Sequence, residues 1–350
     1  MSEGSGLVGI IANPASGKDI RRLVAHASTF DNNEKINIVR RVLLGLEAAG
    51  VSRVAYMPDT YAIVPRAAAT VSLKLELVPL PMPTLGNPGD SYEAACRLRD
   101  TGAGAIITLG GDGTNRVVAK GCGDVPLVPI STGTNNVFPR MVEGTLAGLA
   151  AGLVATGVTA KRPSAPPVIR RLPRLDVLLD NERTDMALID VVTSRQSWIG
   201  ARALWDPDLL GEVVLSRVTA AEIGMASLGG LLFPAACGSG AGVHLIVGDR
   251  TAPRRVVAPL APGLLASVPI AAAVLIAPQD TVALRGEPCT VALDGEREFE
   301  MLPPGKPLAV ALNPEGPWVI EIDAALTAGA EAGVFVAHHA EPVPTSSLRS

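Results

Sequence analysis

The 350-residue sequence is poor in aromatic residues, in charge and in paired cysteines. Aromatic residues make up 3% of the chain, too few for a nucleic-acid surface built on stacked bases, and the net charge of −4 gives no general attraction to phosphate backbones. Charged residues make up 18% and hydrophobic residues 48%, which excludes a disordered chain. None of the four cysteines forms a Cys-x-x-Cys pair, so we expect neither a zinc site nor disulfides and predict a cytoplasmic protein.

The sequence also lacks a basic leader and an uninterrupted apolar segment of membrane-spanning length. Glu3 precedes the first apolar run, which argues against a signal peptide. Two uncharged stretches, Ile223 to Gly248 and Val256 to Gln279, are long enough to cross a bilayer, but glycines and prolines interrupt both. We therefore predict buried strands separated by turns and no membrane span.

Short apolar runs alternate with helical patterns in the first half of the chain. Val8 to Ala12 and Ala105 to Leu109 are typical of buried strands. Between them, Glu34 to Ala49 has apolar residues every three or four positions, which predicts a helix capped by Asn33. This alternation predicts a Rossmann-like α/β domain with a mostly parallel sheet.

Short β-like segments dominate beyond residue 160. A proline-rich connection, Gly157 to Pro167, separates them from the first half. Met186 to Val192 is predicted as one strand, and Ala271 to Ile276 as another. Their spacing predicts an antiparallel, β-rich second domain, followed by a helix at Ala324 to Ala332 and a disordered tail.

A glycine-rich loop follows the predicted strand Ala105 to Leu109. Glycines let the backbone approach a ligand, and N–H groups entering a helix attract anions, so this loop is a candidate phosphate site. Asp112 would hold Mg²⁺ or accept a proton from an attacking hydroxyl; alternatively, it caps a helix in a tight turn. The phosphate-binding residues assigned to this loop are Gly110, Gly111, Gly113 and Thr114.

Two further polar loops follow predicted strands. The loop at 131–136 supplies Asn135 and Asn136, which suit ribose or amide groups of a substrate, or else bond their own turn. The loop at 13–18 is not a P-loop, because Ala12 and Asp19 stand where that motif needs Gly and Ser or Thr. Both are expected to meet the glycine-rich loop in a crevice at the strand ends. Their phosphate-binding candidates are Thr132, Gly133, Thr134, Asn13, Ser16, Gly17 and Lys18.

Three acids of the second half are further candidates. Asp294 and Glu296 would share one face of an extended segment, as a metal site or an acid–base pair. The alternative is an Asp-Gly hairpin turn with a solvated Glu296. Asp190 lies among branched apolar residues and needs a partner, so it either contacts a substrate or ends a strand.

Together, Gly110 to Thr114, Gly133 to Asn136 and Asp294 to Glu296 resemble the superfamily that joins NAD kinases with diacylglycerol and sphingosine lipid kinases. Within it, the chain is most similar to the ATP-NAD-kinase-like group that includes the acetoin catabolism protein X. The resemblance extends over about residues 7–335. It implies an α/β nucleotide-binding domain (1–160), a sandwich-like, β-rich substrate domain (161–322), a helix that packs back (323–335) and a tail (336–350). The active site is then expected in the cleft between the two domains.

The resemblance also implies roles for the acids. Asp112 matches the catalytic or metal-associated carboxylate of NAD kinases, and Asp294 and Glu296 match the lipid-kinase motif that holds the base. Ile189 and Asp190 stand where NAD kinases carry the Asn-Glu pair that binds ribose.

We therefore predict an ATP- and Mg²⁺-dependent kinase that phosphorylates a hydroxyl of a small molecule. NAD, which would yield NADP, is the favoured acceptor, and Asp112 is the site assigned to Mg²⁺. The alternatives are a lipid kinase of the diacylglycerol type and a non-catalytic nucleotide-binding regulator linked to acetoin catabolism. The resemblance also implies a homo-oligomer.

Overall fold

The computed structural model describes residues 6–17, 30–133, 135–161, 167–195, 209–285, 289–301 and 307–336, with the backbone alone at 161 and 296–301. In the first half, strands and helices alternate. They are β1 (Leu7–Ala12), α1 (Asn32–Ala48), β2 (Arg53–Tyr56), α2 (Ile63–Ala68), β3 (Glu76–Pro79), α3 (Pro88–Asp100), β4 (Ala105–Gly110), α4 (Asp112–Gly121), β5 (Leu127–Ser131) and α5 (Gly144–Ala155).

In the second half, strands predominate. They are β6 (Ile169–Arg171), β7 (Arg174–Leu179), β8 (Glu182–Ala187), β9 (Asp190–Ser194), β10 (Leu210–Leu215), β11 (Gly242–Val247), β12 (Arg254–Ala261), β13 (Leu264–Ile276), β14 (Thr281–Ala283), β15 (Cys289–Leu293), β16 (Glu296–Met301), β17 (Leu308–Asn313) and β18 (Trp318–Ile320). The helices are α6 (Ala226–Leu232) and α7 (Ile322–Glu331).

The first sheet is mostly parallel, as predicted. Its described strands lie in the order β3-β2-β1-β4-β5-β18-β6, and β6 is antiparallel to its neighbour. Helices α1, α2, α5 and α7 pack over Val8, Ile10 and Ile107, while α3 and α4 cover Ile11 and Ile106 on the opposite face. Burial on both faces explains why these strands are continuous apolar runs. The strand order reverses between β1 and β4, which creates a crevice at their carboxyl ends.

The other described strands form two antiparallel sheets, ordered β12-β13-β11-β10-β9-β15-β16 and β14-β17-β7-β8. Their facing side chains form one core, with Val177 and Val310 from the smaller sheet and Val191, Val214 and Val291 from the larger. The second part of the chain is therefore a β-sandwich. Strands β6 and β18 lie beyond the predicted boundary at residue 160, yet both belong to the first sheet. The first sheet therefore includes two strands from the second half of the chain.

Two local predictions were wrong. Helix α1 is capped by Asp31, whose carboxylate accepts the Glu34 N–H at 2.8 Å, and not by Asn33, which lies inside the first turn. The segment Met186 to Val192 is not one strand, because β8 and β9 belong to different sheets and the chain passes between them at residues 188–189.

The uncharged stretches contain short elements, α6 and β11 in the first and β12 and β13 in the second. Within the described ranges, no helix combines the length and apolar content that a bilayer crossing requires. The predicted tail at 337–350 lies outside the described residues.

Helices α1 and α5 approach each other closely at glycines. A Cβ at Gly148 would overlap the carbonyl oxygen of Val42, and a Cβ at Gly45 would overlap that of Thr145. Since backbone atoms cannot move aside as a flexible side chain can, both positions require glycine.

We expect Gly148→Ala to lower the free energy of unfolding by about 2 kcal/mol, because the methyl group forces α1 and α5 apart. In an exposed helix the same change adds about 0.5–1 kcal/mol, so the sign of the effect is diagnostic. Urea denaturation measures it, with Thr327→Ala on the exposed side of α7 as a control that should change stability by less than about 0.5 kcal/mol. A gain in stability from Gly148→Ala would contradict the close crossing.

Candidate functional site

Three loops meet at the carboxyl ends of three strands: the first (13–17) follows β1, the second (110–114) follows β4, and the third (131–133 and 135–138) follows β5. The Asn13 side-chain amide donates to the Thr114 hydroxyl oxygen at 2.9 Å, which joins the first loop to the second. The Ser16 and Thr132 hydroxyls share a hydrogen bond of 2.8 Å, which joins the first loop to the third. The crevice of the first sheet is therefore lined by residues that the sequence singled out.

Asn136 joins the second loop to the third. Its side-chain NH₂ donates to the Ser131 hydroxyl at 2.9 Å and to the Gly133 carbonyl at 3.3 Å, so it bonds its own loop, as the alternative prediction had it. A Cβ at Gly111 would lie 2.9 Å from the Asn136 side-chain oxygen, so a larger residue at this position would displace that side chain. Asn135 differs, because its buried side-chain oxygen has no hydrogen-bond partner within the described residues.

Asp112 is the first residue of α4, and its carboxylate accepts backbone N–H groups of the third loop. Phe138 N–H donates at 2.7 Å, and Val137 N–H lies 3.1 Å from both carboxylate oxygens. The acid therefore neither caps its own helix nor faces the crevice as a free base. These bonds leave further acceptor sites on the carboxylate, so Asp112 as a Mg²⁺ ligand stays a prediction. Among the described residues, no group of three or more His, Cys, Asp or Glu side chains could hold a metal ion.

The N-terminus of α4 opens into the crevice without a side-chain cap. Gly111 occupies the N-cap and, having no side chain, leaves the first amides of the helix to other acceptors. A buried pair fixes the loop beneath it: Thr108 donates to Asn115 at 2.6 Å, and the Asn115 NH₂ donates to the Gly111 carbonyl at 2.9 Å. Rigid N–H groups at a helix N-terminus bind anions, and phosphate is the ligand that such loops take most often.

Lys35 fixes the first loop through hydrogen bonds, and the sequence analysis did not identify this residue. Its fully buried ammonium donates to the carbonyls of Asn13 and Ser16, each at 2.8 Å, and of Pro14 at 3.3 Å, and to the Asn32 side chain at 3.1 Å. Because a trans peptide directs its N–H opposite to its C=O, the Gly17 N–H, which follows the Ser16 carbonyl, faces away from Lys35. Lys35 thus sets the orientation of the loop that carries Asn13, Ser16 and Gly17.

Asp294 is also occupied by backbone N–H groups. Leu188, Ile189 and Asp190 donate to its oxygens at 2.7–3.3 Å, at the point where the chain passes between the two sandwich sheets. Arg116 of α4 lies 3.5 Å from the same carboxylate. Burial raises the pKa of the Asp294 carboxyl above its ordinary value, and Arg116 and the N–H groups oppose that rise.

The sequence had predicted that Asp294 and Glu296 share one face of an extended segment. The structure shows that they do not. Asp294 and Gly295 have φ values of +52° and +77°, and they form the turn of a hairpin in which Leu293 pairs with Glu296. Positive φ at both central residues is typical of a type I′ turn and explains the Asp-Gly sequence. The side chain of Glu296 is not among those described.

The remaining candidates have clear places. Asp190 is buried at the start of β9 and accepts the Gly295 N–H at 3.3 Å, so it begins a strand and supports the same turn. Gly17 has φ +79°, Gly110 packs against Thr114, and Gly113 lies in the first turn of α4. Lys18 and Thr134 lie outside the described residues.

Comparison with known proteins divides the chain as the sheets do. Residues 8–158 match the ATP-NAD kinase N-terminal domain, and residues 173–315 match the acetoin catabolism protein X C-terminal domain. The acetoin catabolism protein X of Cupriavidus necator is 39% identical over 312 residues, which cover 85% of each chain.

Among solved structures, a protein from Bacillus anthracis str. Sterne assigned as a diacylglycerol kinase aligns with a TM-score of 0.46 at 13% identity. The alignment covers 91% of this chain and 98% of that one.

We expect Lys35→Met to lower the free energy of unfolding by about 2–4 kcal/mol, because three carbonyl oxygens lose a charged donor. Lys120→Met is the control: this lysine also bonds an oxygen, on Asp185 at 2.6 Å, but its side chain is 32% exposed, so the loss should stay below about 1 kcal/mol. Urea denaturation of both variants measures the difference. Equal losses would contradict the role given to Lys35.

We expect Asp294→Asn to cost about 3–5 kcal/mol, because the change turns an NH₂ group towards N–H donors and removes the fully buried counter-charge of Arg116, whose other carboxylate, Asp185, is farther away at 3.8 Å and partly exposed. Asn tolerates positive φ, so the turn itself is not the cause. The matched control is Asp180→Asn, since Asp180 is exposed and has φ +58° in the hairpin turn between β7 and β8. Thermal unfolding that fails to separate the two variants would show that the buried contacts contribute nothing.

Proposed function

The chain belongs to the acetoin catabolism protein X family, and from that premise we propose that it is an ATP-dependent kinase that phosphorylates a hydroxyl of a small molecule, with NAD as the favoured acceptor. The observation that carries the proposal is the meeting of three loops at the β1–β4 crevice, tied together by Asn13–Thr114 and Ser16–Thr132. Ligands of open α/β sheets bind at this place.

Phosphoryl transfer requires mainly positioning and stabilisation of charge. The amides at the N-terminus of α4 would hold the phosphates of ATP, and the Thr132 and Ser16 hydroxyls would contact their outer oxygens. ATP supplies the phosphoryl group. Mg²⁺ is usually held by nucleotide phosphates, water and few protein oxygens, so it would come with the nucleotide and need not be held by Asp112.

NAD is favoured as the acceptor because residues 8–158 match the ATP-NAD kinase N-terminal domain. The Asn135 side-chain oxygen, which no described residue bonds, offers an acceptor for an amide or hydroxyl group. A lipid acceptor has less support, since Asp294, the acid that its motif would use as a base, is buried in a turn and bonded to backbone N–H groups.

A second candidate function, a non-catalytic nucleotide-binding regulator, is favoured by one observation. Asp112 and Asp294, the acids that the resemblance assigns to catalysis, both use their oxygens to hold backbone N–H groups. The two functions differ in turnover. A kinase releases ADP and forms NADP, which mass spectrometry identifies, whereas a regulator binds ADP or NAD in a calorimeter without consuming ATP.

We expect the wild-type protein to form NADP from ATP and NAD, and Gly111→Ala to raise the KM for ATP at least about 10-fold, since a displaced Asn136 disturbs the phosphate loops. Gly89→Ala is the matched control: a Cβ there would also lie 2.8 Å from an Asn side-chain oxygen at a helix N-terminus, but on α3. An unchanged KM for ATP in Gly111→Ala would show that these loops do not bind the nucleotide. If the wild-type protein binds ADP but forms no NADP, the non-catalytic regulator is the supported function.

A further inference from the structure

A buried acid in the loop between β10 and α6 has one unused carboxylate oxygen. Glu222 pairs through Oε1 with Arg217 Nε at 3.1 Å, and its side chain is 5% exposed. Its other oxygen, Oε2, is buried and has no hydrogen-bond partner among the described residues. A buried carboxylate oxygen without a donor is costly, so a protein keeps one where a donor arrives from elsewhere.

The arginine that this acid pairs with is bonded to the third loop of the crevice. Arg217 Nη2 donates to the Val137 carbonyl at 3.2 Å, and Val137 follows Asn136 directly. Phe138 and Ala226, the first residue of α6, belong to one buried cluster that joins the two halves of the chain. Glu222 is thus connected through Arg217 to the backbone that Asp112 also holds.

Two other acids near the crevice already accept backbone N–H groups. Asp112 accepts N–H groups from Val137 and Phe138, and Asp294 accepts three N–H groups and faces Arg116. A kinase that phosphorylates a hydroxyl needs an acceptor for the hydroxyl proton, and a carboxylate oxygen that already accepts backbone N–H groups is a weaker base than one without a donor. Glu222 Oε2 meets that requirement.

We propose that Glu222 is a catalytic residue, whose Oε2 accepts the proton of the acceptor hydroxyl, and that Arg217 orients it. This inference rests on the proposed kinase function. The hydroxyl oxygen forms a bond to the γ-phosphorus of ATP, the bond from that phosphorus to the β–γ bridging oxygen breaks, and ADP leaves with the electron pair. The proton passes to Glu222 and then to solvent. The proposal requires the acceptor hydroxyl to reach Oε2, which is buried in the unliganded protein.

The test compares Glu222→Gln with wild type, using ATP and NAD as probes. Gln keeps the shape of the side chain and an oxygen that can pair with Arg217, but its amide cannot accept a proton near neutral pH. We expect kcat to fall about 100-fold or more, with the KM for ATP and the calorimetric affinity for ADP unchanged. Glu93→Gln is the control, because Glu93 pairs with Arg97 Nε through the same atoms on the exposed side of α3, and its activity should equal that of wild type.

The outcomes separate this inference from the function on which it rests. NADP formation by wild type with an equal kcat in Glu222→Gln overturns the role of Glu222 and leaves the kinase standing. Absence of phosphorylation by wild type overturns both. A loss of kcat together with a weakened ADP affinity indicates a structural role and also overturns the proposal. If Glu222→Gln does not fold, Glu222→Asp replaces it: an acid withdrawn by one methylene should keep ADP affinity and lose at least about 10-fold in kcat, and an unchanged kcat overturns the proposal.

Discussion

Backbone N–H groups that have no partner in a helix or sheet are satisfied by buried carboxylates, and the arrangement of the crevice depends on this pairing. Asp112 accepts the amides of Val137 and Phe138, and Asp294 accepts those at the passage between the sandwich sheets. Helix α4 contributes to both sites, because Asp112 is its first residue and Arg116, one helical turn later, faces Asp294. The loops of the first sheet and the turn of the second are therefore held by one connected set of contacts.

A buried cation has the complementary task on the other side of the crevice. Lys35 binds carbonyl oxygens of the first loop, as Asp112 binds N–H groups of the third. The first and third loops are thus each held by one buried charged side chain. A crevice fixed in this way is preorganised, which lowers the cost of ordering it when a nucleotide binds.

The positions of the three loops could be predicted from the sequence, because glycines and small polar residues directly after apolar runs mark the ends of parallel strands. The contacts of Asp112 and Asp294 could not, since their partners lie 25 and about 105 residues away and nothing local shows which distant amides lack an acceptor. Lys35 did leave a signal: it shares the buried face of α1 with Val39 and Val42, and a charge on an apolar face needs a partner. Glu222 left none, because its neighbours form no regular pattern.

The central claim is that nucleotide phosphates bind where the three loops meet. Amide hydrogen exchange with and without ADP tests it directly, since a bound phosphate slows exchange of the N–H groups that hold it. The account predicts protection in peptides that cover residues 13–17, 110–114 and 131–136, with no change in the hairpin of β12 and β13. Protection confined to the sandwich, or none at saturating ADP, would contradict it.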